Sequence, residues 1–430
     1  MKNRLMFVCQ YFYPEKISSG VLPYEMASKM AEKNFEVYAL VGYPKEYSNS
    51  EKVPMEEDIN GIKIKRIEYF QSDRSNFFGR IANYLSFCWS VWKNKKEFKN
   101  IDQCICYTNP PLLPFIIAKL SKKYKFDMFF EVYDLYPDVA IKSKVMSETS
   151  IICKVMNYAT NYALKKAKRI ILLSQEMKDY LIQSRENLSL QEKSIVIPNW
   201  YKKQEVQDFN VAPNKLTVLY GGNMGILQDM DTLLETIIKL KDNLNIEFIL
   251  AGHGVKKEKI EKKVKELDIK NCKILGFVPK EEYDQLMKTV DIAIVSLEKF
   301  GWGLGSPSKV YSYLAMGLPL IAIMPKDTDV VKDIEFIADE IIVMKAGKKI
   351  LTGTPEELLQ DLRGSVWKCV AYDKKEVEML NHKYCIINIH QENNTTELRI
   401  VSRQKPTVNA VNIEPNLEDL YLAYFQDNEK

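Results

Sequence analysis

The stretch VLYGGNMGILQDMDTLLETI, residues 218–237, decides how the rest of the chain is read. A short apolar run at 216–220 empties into Gly221, Gly222, Asn223 and Gly225, after which apolar residues recur at Met230, Leu233, Leu234 and Ile237. That spacing is helical, so the order is strand, glycine loop, helix, with Asp229 placed to cap the helix. Glycines admit tight turns and let a ligand approach the main chain, and the amides at a helix start favour an anion. A plain strand-to-helix turn has the same signature, so the glycines alone leave both a phosphate site and an ordinary turn open.

The same alternation extends in both directions. Downstream, the strand at 247–251 is followed by GHG, that at 272–276 by FVP, and that at 291–295 leads into FGWGLGSPSKVYSYLAMGLPLIAI. Upstream, apolar runs at 5–9, 35–41, 101–107, 128–132, 169–173 and 195–197 alternate with helical patterns at 22–33, 114–123, 151–166 and 175–183. Strands alternating with helices imply parallel sheets covered on both faces. Ligands of such sheets gather beyond the carboxyl ends of the strands, so the loops at 11–20, 107–111 and 133–138 are expected to share one rim. In EVYDLYPDV, Asp134 and Asp138 follow a strand end on either side of Pro137. A carboxylate there can orient or deprotonate a hydroxyl, or simply cap the turn. VIPNW at 196–200 closes the first domain, and the polar run 202–215 reads as a linker.

A chain of 430 residues needs more than one core. Its 46% hydrophobic and 27% charged content is that of a soluble globular protein, and a net charge of +4 gives no case for nucleic acid as the main partner. No apolar run reaches bilayer length, residues 1–13 read as a strand rather than a signal peptide, and the eight cysteines show no CxxC pair. A cytoplasmic chain with reduced thiols is therefore expected. The three histidines lack ligand spacing, so no metal site is expected. The segment RSNFFGRIANYLSFCWSVWKNKKEFKN, 74–100, mixes aromatic and apolar residues with a basic end. It is read either as a seat on a membrane surface, peripheral to the inner face, or as a core helix with a solvated lysine tail.

Taken together, YFYPEKISSG, DLYPD, VIPNW, YGGNMGILQDMDTLLE, ILAGHG, ILGFVP and SPSKVYSYLAMGLPLIA resemble, in this order, a family-4 GT-B glycosyltransferase of the bacterial polysaccharide type, akin to N-acetylfucosamine transferases of O-antigen and colanic-acid-like pathways. The resemblance covers about residues 1–329. It implies an α/β, GT-B fold of two Rossmann-like doubly wound domains facing a cleft, an acceptor domain at 1–200 and a nucleotide-sugar domain at 201–329. It implies transfer of a sugar from a nucleotide donor, UDP-linked rather than GDP-linked, to a lipid-linked glycan acceptor, with retention and without a cofactor or obligatory metal. By the same analogy Gly222, Asn223 and Gly225 approach the diphosphate, Phe277 and Val278 lie near the base, and Ser308 and Lys309 hold the phosphates. Gln228, Gly252 and Ser312 join the donor set, and Gly20 and Asp138 stand on the acceptor side. Many members carry two glutamates where this chain has Leu304 and Ser312, and an Arg and a Lys where it has Asn223 and Gln228. No histidine is available in the first domain, which leaves Asp134 to handle the acceptor hydroxyl and Lys309 to stabilise the leaving diphosphate.

Near residue 330 the pattern changes. KDIEFIADEIIVMKAGKKILTGTPEELLQDLRGSVWKC resembles the end of an ABC-transporter ATP-binding subunit, with a helix, two short strands around Ala346 and Gly347, and a TPEELL helix. The chain has no GxxxxGK[ST] and no LSGGQ, so residues 330–430 are expected to form a small α+β module without a nucleotide site, leaving the 201–329 domain incomplete. The strand at 341–343 and the helix at 334–337 are the expected cover for its apolar 318–324 run. A non-catalytic fusion with a crippled donor site and a subunit-contact tail is the competing reading. A dinucleotide oxidoreductase is disfavoured because no GxGxxG follows the first strand.

Overall fold

The computed structural model describes all residues except 1–2, 45–52, 73–76, 202–214, 326–327, 338, 346–347, 393–394, 418 and 421–430. The linker expected at 202–215 and the Ala346–Gly347 junction thus fall almost wholly outside the described residues. Two compact units divide at Val330 and Val331.

The first unit opens with β1 (Arg4–Cys9), α1 (Ser18–Glu32), β2 (Glu36–Gly42), β3 (Glu56–Ile59), β4 (Ile62–Ile67), α2 (Phe77–Lys93), β5 (Gln103–Tyr107), α3 (Leu113–Tyr124), β6 (Asp127–Val132), α4 (Asp138–Lys142), α5 (Ile151–Lys166), β7 (Arg169–Leu172), α6 (Gln175–Ser184) and β8 (Ser194–Val196). The strands lie in the order β3-β4-β2-β1-β5-β6-β7-β8, all parallel except the β3–β4 hairpin. Alternate residues serve opposite faces, as a strand period of two requires. Phe7, Ile105 and Tyr107 pack in one buried cluster with Ala27 of α1, while Val8, Cys106 and Phe130 pack in another with Phe87 of α2, Ile117 of α3 and Ala163 of α5. Apolar runs without alternation are the sequence signature of such doubly covered strands.

The second sheet contains β9 (Leu216–Gly221), β10 (Ile246–Ala251), β11 (Cys272–Leu275), β12 (Ile292–Ser296) and β13 (Leu320–Ile323), interleaved with α7 (Met230–Lys239), α8 (Lys257–Glu266), α9 (Lys280–Met287) and α10 (Lys309–Ala315). Its order is β11-β10-β9-β12-β13, all parallel. The winding reverses between β9 and β12, so the loop after β9 opens at the topological switch point where such sheets bind ligands. The helical spacing at 230–237 is realised in α7, whose Met230, Leu233, Leu234 and Ile237 are all buried.

The sequence reading placed no strands at 56–67. There IKIKRI alternates apolar and basic residues, and the hairpin is held by Arg66, whose fully buried side chain pairs with Glu57 and donates to the carbonyls of Pro54 at 2.8 Å and Tyr13 at 3.0 Å.

α11 (Asp329–Ile337) runs across the unit boundary. Beyond it lie β14 (Ile341–Lys345), β15 (Lys348–Gly353), α12 (Pro355–Gln360), β16 (Val366–Ala371), α13 (Lys374–Lys383), β17 (Cys385–Glu392), β18 (Thr395–Val401) and β19 (Val411–Asn412). The hairpin β14–β15 stands as its own two-stranded sheet, and β17-β18-β16-β19 form an antiparallel one. Among the described residues the 341–343 strand pairs with β15 in this hairpin, and in the first unit β13 pairs with β12, with Ile321 half exposed. The TPEELL helix forms as read, because Thr354 and Glu357 make a capping box. This unit has cores of its own around Leu358, Val366 and Leu420 and around Cys369, Leu398 and Ile400.

Asp229 holds the start of α7, accepting from the Thr232 amide at 3.0 Å and the Thr232 hydroxyl at 2.7 Å. Asp229→Ala should cost roughly 1 kcal/mol of local stability, seen as about fivefold faster hydrogen exchange of the α7 amides.

Candidate active site

The carboxyl ends of β9 and β10 carry the two glycine motifs side by side. The Gly222 amide donates to the Ala251 carbonyl at 2.9 Å, and the Met224 amide to the His253 carbonyl at 2.6 Å. A Cβ on Gly252, whose φ is +150°, would stand 1.8 Å from the Gly222 carbonyl oxygen, and one on Gly221 would stand 1.9 Å from the Tyr283 hydroxyl. Loop-on-loop packing thus accounts for these glycines before any ligand is invoked. The Gly225 amide is also taken, donating to Gln228 Oε1 at 3.1 Å. Gln228 therefore acts as a clamp across its own turn. Its carbonyl accepts from Lys256 Nζ at 2.6 Å, and Lys256 in turn pairs with Glu298. The cradle expected from free main-chain amides at Gly222 and Gly225 is in this way largely closed. The start of α7 likewise holds its own anion in Asp229.

Positive charge reaches the loop from a side chain instead. Lys309 opens α10, and a Cβ on Gly222 would lie 3.7 Å from its Cγ. Its ammonium lies over the Tyr283 ring, 4.4 Å from the centroid, an attraction that orients the cation. Tyr283 and Tyr313 share a hydroxyl hydrogen bond of 2.9 Å, and Tyr313 donates to the Gly221 carbonyl at 3.2 Å. Burial pushes the Tyr283 phenol well up and the Tyr313 phenol to about 12, so both stay neutral beneath the lysine. Ser308 is half-buried at the helix N-cap, where its hydroxyl makes no capping bond. Ser312 is buried and donates to the Lys309 carbonyl at 2.7 Å, so its hydroxyl serves its own helix. Phe277 is half exposed and Val278 half-buried in the loop after β11, on the same carboxyl edge.

The first sheet contributes Asp134. The Thr108 hydroxyl, at the end of β5, accepts from the amides of Tyr133 at 3.1 Å and Asp134 at 3.3 Å, which ties two of the expected rim loops together. Asp134 forms an isolated β-bridge with Gly305, and the Leu135 amide donates to the Leu304 carbonyl at 3.1 Å. A Cβ on Gly305 would come within 3.1 Å of Asp134 Oδ1. Asp134 therefore stands against one end of the run Gly305-Ser306-Pro307-Ser308-Lys309, and the lysine is the other end. In the same segment Trp302 Nε1 and Ser306 Oγ are buried with no hydrogen-bond partner among the described residues. Burial raises the Asp134 carboxyl from 3.8 to about 6, which suits a group that exchanges a proton near neutrality.

Asp138 does not share that freedom. Arg185 clasps it with both terminal nitrogens, Nη1 at 2.7 Å and Nη2 at 2.5 Å, and Tyr180 donates to it at 3.1 Å, all in buried surroundings. Its carboxylate, expected on the acceptor side, is occupied in holding α4 to α6. Gly20 sits in the first turn of α1, where a Cβ would come 3.0 Å from the Glu15 carbonyl, so its smallness serves the folding of the 11–20 loop. Sequence reasoning passed over Glu131, although it lies in the quoted EVYD run. It is buried at the end of β6, its Oε2 unpartnered among the described residues, and burial pushes its carboxyl to about 7. It also passed over the Tyr283–Tyr313 platform and the Lys256–Glu298 clamp, which no local motif marks.

Residues 215–359 match the family described as Glycosyl transferases group 1, a match that runs past residue 330 and through α12. The chain is 25% identical over 283 residues to the probable glycosyltransferase WbjE of Pseudomonas aeruginosa, covering 62% of this chain and 70% of that protein. It is 30% identical over 141 residues to the putative colanic acid biosynthesis glycosyl transferase WcaI of Escherichia coli K12, covering 29% of this chain and 34% of the other. Among solved structures it is similar to sucrose-phosphate synthase from Thermosynechococcus elongatus, with a TM-score of 0.58 at 14% identity over 76% of this chain and 83% of that one. Anabaena HepE, solved with UDP and glucose, gives 0.51 at 15% identity over 74% and 80%.

Two outcomes test the geometry. Arg185→Ala strands a buried carboxylate and should cost roughly 3–5 kcal/mol, lowering the thermal midpoint sharply. Glu131, Asp134 and Glu176 all have carboxyls raised by burial, to about 7, 6 and 7. The folded state thus holds more protons than the unfolded one, and stability should fall as pH rises from about 4 to 7. Glu131→Gln should flatten that fall in a melting series across pH. The glycine loop and lysine thus stand at the switch point of the second sheet, with the strand-end aspartate of the first sheet against the same run, in a GT-B fold whose residues 215–359 match the group 1 glycosyltransferase model.

Proposed function

We propose that this chain transfers a glycosyl unit from a UDP-sugar to a hydroxyl of a lipid-linked glycan during bacterial surface polysaccharide assembly, with retention at the anomeric carbon. The observation that carries the reading is the continuity of one short run, with Asp134 against Gly305 at one end and Lys309 beside Gly222 at the other. In this reading the Lys309 ammonium meets the diphosphate, whose charge grows as the glycosidic bond breaks, so the interaction is stronger in the transition state than in the bound donor. Phe277 and Val278 border the base, Ser308 adds a hydroxyl to the phosphates, and Asn223 and Gly222 line the approach. Asp134, desolvated yet titrating near neutrality, orients the acceptor hydroxyl and takes its share of the proton. The names of WbjE and WcaI support the polysaccharide setting, and the UDP complex of HepE supports the nucleotide.

A second reading, a non-catalytic chain with a crippled donor site, is favoured by the occupied amides of Gly222 and Gly225 and by Ser312 spending its hydroxyl within α10. UDP decides between them. On the transferase reading, UDP raises the melting temperature and Lys309→Ala abolishes the rise; no shift with any nucleoside diphosphate supports the second. With a sugar nucleotide that turns over, Asp134→Asn should lower kcat by at least about a hundredfold while the UDP-induced shift persists. The wild-type rate should climb with pH through about 6, where the carboxylate ionises.

A further inference from the structure

The helices α2, α3 and α5 lie in a row on one face of the first sheet, with α3 packed between the other two. Their inner sides fill the core, but the outer sides of the flanking pair are apolar as well. On α2, Ile81, Leu85 and Trp89 recur at a spacing of four and face solvent, with Leu85 50% and Trp89 58% exposed. The loop before α2 adds Phe70, whose amide donates to the Ser86 hydroxyl at 2.9 Å and whose ring is exposed. On α5, Ile151, Ile152, Val155 and Tyr158 are all outward, with Ile151 80% and Ile152 63% exposed. A soluble helix normally keeps such residues on its buried stripe.

The charge on this face is one-sided. None of the three helices contains an aspartate or a glutamate, although the chain has 57 acidic residues. They carry instead Arg80, Lys93, Lys119, Lys122, Lys123, Lys154, Lys165 and Lys166. Lysines in last turns complement the helix dipole, which explains Lys93, Lys122, Lys123, Lys165 and Lys166 but not the absence of acids or the positions of Arg80, Lys119 and Lys154. Lys119 lies over the rings of Tyr162 and Phe115, at 4.3 Å and 5.2 Å from their centroids, and Lys93 over Trp89 at 5.8 Å, so cations and aromatic rings share the surface. Aromatic and aliphatic side chains that enter an interface, with lysines that reach phosphate, are the two terms of adsorption to an anionic bilayer. Among the described residues no helix is long and apolar enough to cross a membrane.

Position adds a reason. In a parallel sheet the helix starts lie at the carboxyl ends of the strands, so Ile151 and Ile152 at the start of α5, and Ile81 and Leu85 in the first half of α2, stand at the rim that carries Asp134. Gln10, just past β1, donates to Asn83 of α2, which fixes that helix to the rim.

We propose that the outer face of α2, α3 and α5 docks this chain on an anionic lipid bilayer and holds the Asp134 rim at the membrane surface. The biological sense rests on the lipid-linked acceptor proposed above, but the docking is separable from it.

The test is co-sedimentation of the full chain with phosphatidylcholine vesicles, with and without phosphatidylglycerol. The chain should pellet with the anionic vesicles only, and release at about 0.5 M salt, where charges are screened within a few ångströms. The pairs Leu85→Ser with Trp89→Ser, and Ile151→Ser with Ile152→Ser, should each lower the partition coefficient by about tenfold or more. Both variants should keep the wild-type circular dichroism and melting midpoint, which separates lost docking from lost fold. The proposal is overturned if the wild type stays in the supernatant with anionic vesicles, or if the folded variants pellet as well as it does. It is equally overturned if velocity sedimentation shows a dimer that the same substitutions dissolve, for then the face is covered by a second copy. A wild type that fails to bind anionic vesicles yet keeps the UDP-induced melting shift would sink the docking alone.

Discussion

The backbone pairing of Asp134 and Leu135 with Leu304 and Gly305 is the constraint on which the site depends. It joins the carboxyl edge of one parallel sheet to the loop that feeds α10 in the other. The segment carrying it is anchored twice more. Leu304 is fully buried, and Gly303 packs so closely on α6 that a Cβ there would stand 2.5 Å from Tyr180 Cβ. At the far end of the same unit, Asp329 caps α6 by accepting from the Gln175 amide while its own amide donates to Glu176 at 3.1 Å. The two sheets are thus stitched along α6 and the 301–309 run, and the groups proposed for chemistry sit on the stitch rather than on free loop tips. Positioning by backbone hydrogen bonds costs little reorganisation when a substrate arrives, which is the condition for electrostatic catalysis.

The glycines that first draw the eye turn out to be explained by something nearer than a ligand. Gly252 and Gly254 let the ends of β9 and β10 interlock, and a side chain at either would strike the backbone of the loop after β9. Once interlocked, those loops use their own amides on each other. A phosphate-binding motif of the helix-start kind needs unspent amides, so the attraction for an anion passes to Lys309. Gln228 and Lys256 illustrate the same economy: an amide side chain and an ammonium group that look like ligands in a sequence are used to hold the loop's shape.

Much of the fold was legible because burial on both faces leaves unbroken apolar runs, and because Asp229 and Thr354 announce their helices by cap chemistry that acts within three residues. The β3–β4 hairpin was not, since it is held by a buried arginine whose partners lie up to 53 residues away. The site divides along the same line. Motifs single out Asp134 and Lys309, and the structure sets them at the two ends of one short run. The pairing of Asp138 with Arg185, 47 residues distant, was not legible, because nothing local to DLYPD reveals that the carboxylate is doubly bound. The same distance hides Lys256 and Glu298, 42 apart, and the hydroxyl pair of Tyr283 and Tyr313, 30 apart. Local chemistry can be read from a sequence; the saturation of a polar group by a remote one cannot.

A single lysine in place of several cations is a smaller handicap than it first seems. What matters to a diphosphate is the net field where it lands, and that depends on which anions stand nearby. Glu298, the acidic residue closest in sequence to the 299–308 loop, is paired with Lys256 and so contributes little. The ring under Lys309 is that of Tyr283, a phenol kept neutral by burial, and its face attracts the ammonium. Stacking on the tyrosine ring keeps the lysine oriented beside the glycine loop. Leu304 and Ser312, on either side of Lys309 in the chain, are uncharged and add no negative charge near the cation the proposed reaction needs.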